Sequence, residues 1–134
     1  MNVVGICFIK NGKLLVSKSR TSRGFYTLVG GKVKNGEDIY SAAKRECEEE
    51  IPGFTISKKD FNLVLDFFEH ATSDYNLIIH MHILISKKDI DVELKTSDEI
   101  LKYHWYSLDE NPNILSSSIK DHFLPYAKKN GLLY

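Results

Sequence analysis

Cysteine is scarce in this sequence: Cys7 and Cys47 are the two among 134 residues, and they form neither a C-x-x-C pair nor a cysteine–histidine metal spacing. That excludes a disulfide framework and reads as two reduced, buried thiols in a cytoplasmic protein. Long apolar runs are missing as well. None approaches about 18 residues, and the stretch from Met1 to Ile9 lacks the basic n-region and small-residue cleavage site of a signal peptide, so no membrane partner is expected. A charge excess is also absent, because eighteen basic and eighteen acidic residues give a formal net charge of zero. A nonspecific nucleic-acid binder carries a basic surplus that displaces phosphate counterions, so that class is excluded while a small phosphorylated ligand stays compatible. There is no repeat, low-complexity tract or Pro/Gly/Ser linker, and one domain over residues 1–134 is expected, long enough to bury a core without a disulfide or metal staple. No apolar stripe is surplus to that core, so nothing in the sequence specifies an oligomer.

What is present reads as strands surrounding one long helix. Val3 to Ile9 and Leu14 to Ser19 flank Asn11-Gly12, the strongest short hairpin signal. Phe25 to Val29, Phe61 to Phe68, Asn76 to Ser86 and Leu101 to Ser107 are rich in β-branched and aromatic residues and are further strand candidates. A helix is expected from Glu37 to Glu50, stopped by Pro52-Gly53. A second, from Ser118 to Lys129, starts at a Ser-x-x-Asp signal (Ser118, Asp121) and carries Pro125, which predicts a kink or a split. The pattern is α/β, a mixed β-sheet with helices on its faces.

The first helix carries the chemistry. At about 100° per residue, Glu46, Glu49 and Glu50 share one face within an arc of about 100°, and Glu48 points away. Tyr40, Ala43, Cys47 and Ile51 form a separate apolar stripe suited to packing on the sheet. Acids at i, i+3 and i+4 repel one another, and Arg45, one turn before Glu49, offsets only part of this. A hard divalent cation answers the repulsion better: Mg²⁺ prefers carboxylate and water oxygens and is usually completed by substrate phosphates. An acid-rich helix by itself is more often a solvated face. Here the acids belong to a longer pattern: Gly31, five residues, Glu37, seven residues, Arg45-Glu46, two residues, Glu49-Glu50. Six identities over twenty positions arise by chance on the order of once in 10⁵ chains of this length.

This segment resembles the Nudix box, G-x5-E-x7-R-E-U-x-E-E-x-G-U, where U is a bulky apolar residue. The box covers about a sixth of the chain. Weaker similarity extends to the strand and glycine bend over Phe25 to Val33 and to Trp105-Tyr106-Ser107-Leu108-Asp109-Glu110. The resemblance implies an α/β/α sandwich and hydrolysis of a nucleoside diphosphate linked to another moiety. It further implies Mg²⁺ or Mn²⁺ as cofactor, held by Glu46, Glu49 and Glu50, with Arg45 and Glu37 bracing the loop and helix. Gly30 and Gly31 supply the tight turn. The general base implied is Glu49 or, from a later loop, Glu99. Candidates for binding the substrate are Arg20, Arg23, Lys32 and Tyr26, with Lys18 also flanking the glycine bend; a nucleotide-type small molecule is the expected partner. The sequence departs from the box at Cys47, at an apolar position, and at Pro52, where a glycine is usual; a helix end re-formed by one residue, with Glu50 displaced, is the expectation there. A noncatalytic nucleotide-binding or sensor domain of the same fold is the alternative, and an isomerase of small diphosphates a more remote one. His80 and His82 alternate on one strand without a third metal-binding partner, so a structural zinc is not expected.

Overall fold

A computed structural model describes residues 1–71 and 74–134. Among the described residues, seven strands form two sheets. Strands β1 (Asn2–Cys7), β4 (Val29–Lys32), β5 (Phe61–His70) and β6 (Ile78–Ser86) make the first, in the order β4-β1-β6-β5, with β1 and β6 parallel and the flanking pairs antiparallel. Strands β2 (Ile9–Lys10), β3 (Lys13–Ser19) and β7 (Ile100–Tyr106) make the second, in the order β2-β3-β7. The Asn-Gly signal is realised: Asn11 and Gly12 take φ of 52° and 73° between paired Lys10 and Lys13, which is the two-residue hairpin geometry such a dipeptide favours.

The sheet is covered on both faces. Along β1 and its continuation, Val4, Ile6 and Phe8 face one core, and Cys7 faces the other. Period two in the strand assigns each residue to a layer. Helix α1 (Ile39–Glu50) seals the first core through Ala42, Ala43 and Cys47, with Ile51 just beyond its end and Tyr40 half-buried beside it. The C-terminal segment seals the second through Ile119, Phe123, Leu124 and Ala127. The molecule is therefore an α/β/α sandwich built on mixed sheet.

Two elements differ from the sequence expectation, and a third breaks where proline predicts. The helix expected from Glu37 begins at Ile39, because Asp38 sits in the extended region as N-cap and its Oδ1 accepts from the Ser41 N–H at 2.8 Å. The strand expected over Phe25–Val29 is replaced by isolated bridges, Ser17–Thr27 and Tyr26–Leu115, and β4 instead runs through both glycines. Pairing with β1 decides this: Gly30, at φ 152°, lies against the Val4 carbonyl, where a Cβ would collide. The helix expected over Ser118–Lys129 is split, as Pro125 predicts, into a π-helical turn over Ser118–Phe123 and helix α2 (Leu124–Lys129), with Pro125 in the first turn of α2. The Ser118 cap does not form, since its hydroxyl donates to Glu69 Oε1 instead.

Candidate active site

Arg45 is the hub of the loop–helix segment. Because α1 starts at Ile39, Glu37 stays in the preceding loop and folds back over the helix. Arg45 Nε donates to Glu37 Oε2 at 2.7 Å and Nη2 to Glu37 Oε1 at 2.9 Å, a two-point ion pair. Nη2 also reaches the Lys32 carbonyl at 2.9 Å, and Nη1 reaches Glu46 Oε1 at 2.8 Å and Glu49 Oε2 at 3.3 Å. One planar guanidinium thus ties β4, the loop and α1 together, a geometry an ammonium cannot reproduce. The Arg45 hydrogen bonds, seconded by the Lys34 N–H, hold the Glu37 carboxyl down at about 2, and the same pairing raises Arg45.

The three box acids lie at different depths. Glu50 is the deepest: its Oε2 accepts from the Gly30 N–H at 2.8 Å, and burial, together with the charges of Glu46 and Glu49, pushes its carboxyl up to about 8 against that hydrogen bond. Glu46 lies over Gly31, where a Cβ would stand 2.5 Å from Glu46 Oε1, so a side chain at position 31 would push that carboxylate aside. Glu49 is the outermost, 55% exposed. Glu48, on the far side, pairs with Lys44 at 2.6 Å and accepts from the Ile56 N–H. The helix completes its last turn before Pro52, with the Ile51 N–H bonded to the Cys47 carbonyl at 3.0 Å, and Glu50 stays at the glycine turn rather than being displaced.

The chemistry of this donor set suits a hard divalent cation: three carboxylates share one helical face, and the burial and neighbouring charge that raise Glu50 are the repulsion such a cation would relieve. Among the described residues, no three acids, histidines or cysteines converge on one point as a ready cage. Arg45 holds Glu46 and Glu49, while the Gly30 N–H holds Glu50.

These acids line a cleft of about 460 Å³, and Glu99 lines it too, from the loop before β7. That loop is pinned: the Arg20 N–H donates to the Glu99 carbonyl at 3.1 Å, Arg20 Nε to the Asp98 carbonyl at 2.6 Å, and the Ser97 hydroxyl oxygen accepts from the Glu99 and Ile100 N–H groups. A second cavity, of about 290 Å³, meets the cleft at Thr27, Leu28 and Gly30 and continues along β1 and β6 at Gly5, Ile79 and Met81. Lys32 lines this second cavity. Arg23 lies apart, at φ 53°, on a groove with Phe25, Phe68 and Tyr75. Tyr26 is 5% exposed within the second core, with Lys18 Nζ 4.7 Å from its ring centre, and lines neither cavity. His80 Nε2 pairs with Asp66 at 2.8 Å and His82 Nε2 with Asn2 Oδ1 at 3.0 Å.

Two residues that the sequence pattern did not single out also meet the site. The Tyr103 hydroxyl, from β7, donates to the Glu50 carbonyl at 2.9 Å, closing the end of α1 across a contact between distant segments. Lys95 lines the cleft with the acids.

A sequence model of the NUDIX domain matches residues 1–127. No curated protein matches the chain. Among solved structures, a MutT protein from Methanosarcina mazei Go1 superposes with a TM-score of 0.75 at 20% identity, covering 97% of this chain and 94% of that one. A Caenorhabditis elegans Ap4A hydrolase, solved as a binary complex, gives 0.71 at 19% identity, covering 97% of each. The Escherichia coli dihydroneopterin triphosphate pyrophosphohydrolase gives 0.66 at 16% identity, covering 96% and 95%. At such identities the likeness is one of fold.

Proposed function

This chain belongs to the Nudix family of acid-anhydride pyrophosphohydrolases, and from that premise we propose that it hydrolyses a phosphoanhydride bond in a nucleotide-type small molecule, with Mg²⁺ or Mn²⁺ held by Glu46, Glu49 and Glu50. The observation that carries this reading is that those three acids and Glu99 line one cleft, next to the cavity along β1 and β6. A divalent cation bound there would neutralise diphosphate charge and lower the pKa of the attacking water.

The chain's own residues do the rest. That cavity, with Leu28, Ile79 and Met81 in its wall, takes the apolar part of the substrate and sets the diphosphate beside Gly30. Glu99, which carries no ligand duty in this scheme, accepts the water's proton across the cleft; Glu49, the most exposed of the box acids, is the competing base. Arg45 acts at one remove, fixing Glu46 and Glu49 through its own anchorage on Glu37 and Lys32. The noncatalytic alternative gains no support at Pro52, since α1 completes its final turn ahead of it.

The test is incubation with a panel of nucleoside triphosphates, oxidised nucleotides, dinucleoside polyphosphates and nucleotide sugars, with Mg²⁺ or with chelator. Metal-dependent release of a nucleoside monophosphate is the expected result. Saturable binding with no product from any of them would replace the hydrolase by a sensor.

A further inference from the structure

The cleft that holds the acids has one cation in its described lining, Lys95. The basic residues expected from sequence to meet phosphates are engaged or placed elsewhere: Arg20 on the Asp98 carbonyl, Lys18 over the Tyr26 ring, Arg23 on a separate groove, and Lys32 in the neighbouring cavity. Like those four, Lys95 makes none of the ion pairs found among the described residues, but of the five it alone lines the cleft. It stands in the same cleft as Glu46, Glu49, Glu50 and Glu99.

Its position is set by packing. From Ile90 to Lys95 burial alternates residue by residue: Ile90, Val92 and Leu94 lie half-buried on the first core, while Asp91, Glu93 and Lys95 face outward. Two residues on, Ser97 forms the hydroxyl-capped turn that Arg20 fastens to β3. Lys95 is thus carried on a segment anchored at both ends, with its ammonium left unspent. Hydroxyl side chains complete that wall, from Ser19, Thr21, Thr27, Thr96 and Ser97. An ammonium and hydroxyls that line the same cleft as a carboxylate cluster can donate to an anion bound there.

We propose that Lys95 is the phosphate-holding cation of the cleft, binding the phosphoryl oxygens on the side of the substrate that faces away from the box acids. This rests on the hydrolase reading, and its test separates the two. Calorimetric titration with inorganic pyrophosphate plus Mg²⁺ reads Lys95 separately from turnover of the nucleotide panel: Lys95→Ala is expected to weaken binding about tenfold or more. Lys95→Arg is expected to restore most of it. Lys10→Ala, which removes the same charge outside this cleft, is expected to change binding less than twofold. On whichever member of the substrate panel the wild type turns over, Lys95→Ala is expected to raise KM about tenfold with kcat within threefold, at unchanged Tm. Pyrophosphate binding that is absent in the wild type, or equal in wild type and Lys95→Ala, overturns the assignment. Lysine-dependent binding with no turnover of any substrate leaves it standing and overturns the hydrolase.

Discussion

Single side chains in this site divide labour by depth. Glu49, more than half exposed, supports no packing, so Glu49→Gln is expected to lose at least about two orders of magnitude in kcat while the melting temperature holds. Near-normal turnover would remove Glu49 from the chemistry. Arg45 anchors four partners with one planar fork, and Arg45→Lys is expected to cost about 10–100-fold in activity or metal affinity, measured by Mg²⁺ titration of the initial rate. Its partner Glu37 gives that brace a pH signature. The folded-state carboxyl is held near 2, below its usual 4.5, so the stabilisation is complete above about pH 4.5 and fades as pH falls toward 2. Urea midpoints of wild type and Glu37→Gln should therefore differ by a constant amount from pH 7 to 5 and converge below that; a gap that persists at pH 2 would refute the ion pair. The Glu37–Arg45 brace was legible only through the resemblance to the box, since the sequence pattern put Glu37 inside the helix rather than on the loop that feeds it. The place of Lys95 was not, because the box acids whose cleft it lines lie more than forty residues earlier in the chain.

At the scale of elements, α1 depends on its two ends. Its start was misplaced by two residues because Glu37 is itself a good helix former; the Asp38 cap outcompeted it. Its finish was placed correctly, since a proline at position 52 forbids continuation whatever surrounds it. Pro52→Gly, which restores the residue usual in the box, is expected to leave metal-dependent activity within twofold. It should lower stability by about 0.4–1 kcal/mol through the looser unfolded chain, as read from denaturant midpoints. A large gain in activity would show that proline distorts the acid face. Strand β4 teaches the opposite lesson. A pair of glycines reads locally as a bend, yet here it is a strand interior, because only a backbone without Cβ can pass the Val4 carbonyl, and Glu46 lies over Gly31. Gly31→Ala is accordingly expected to displace Glu46 and weaken Mg²⁺ binding, with the sheet register intact.

The whole molecule is two cores separated by a sheet, with the cleft where the sheets part. Ligand-linked stability follows: if the acids hold a divalent ion in the folded state alone, Mg²⁺ raises Tm in the wild type, chelator reverses it, and Glu46→Gln/Glu50→Gln abolishes the shift. Equal melting curves with and without metal would oppose a cation at this helix. The far end of the chain is secured separately, with Leu133 buried in the second core and the Tyr134 N–H on the Gly12 carbonyl. Leu133→Ala is expected to cost about 2–5 kcal/mol with the cleft unchanged. By itself the sequence determined whatever depends on neighbours along the chain: the Asn-Gly hairpin, the helix with its acid face and apolar stripe, and the break at Pro125. Those are settled by backbone torsions and by periodicities of two and 3.6 residues. Only the tertiary structure decided which acids lie deep, where Tyr103 meets α1, and which of many surface cations enters the cleft. Such outcomes turn on burial and Coulomb forces between residues far apart in sequence, and on sheet pairing that no local pattern encodes.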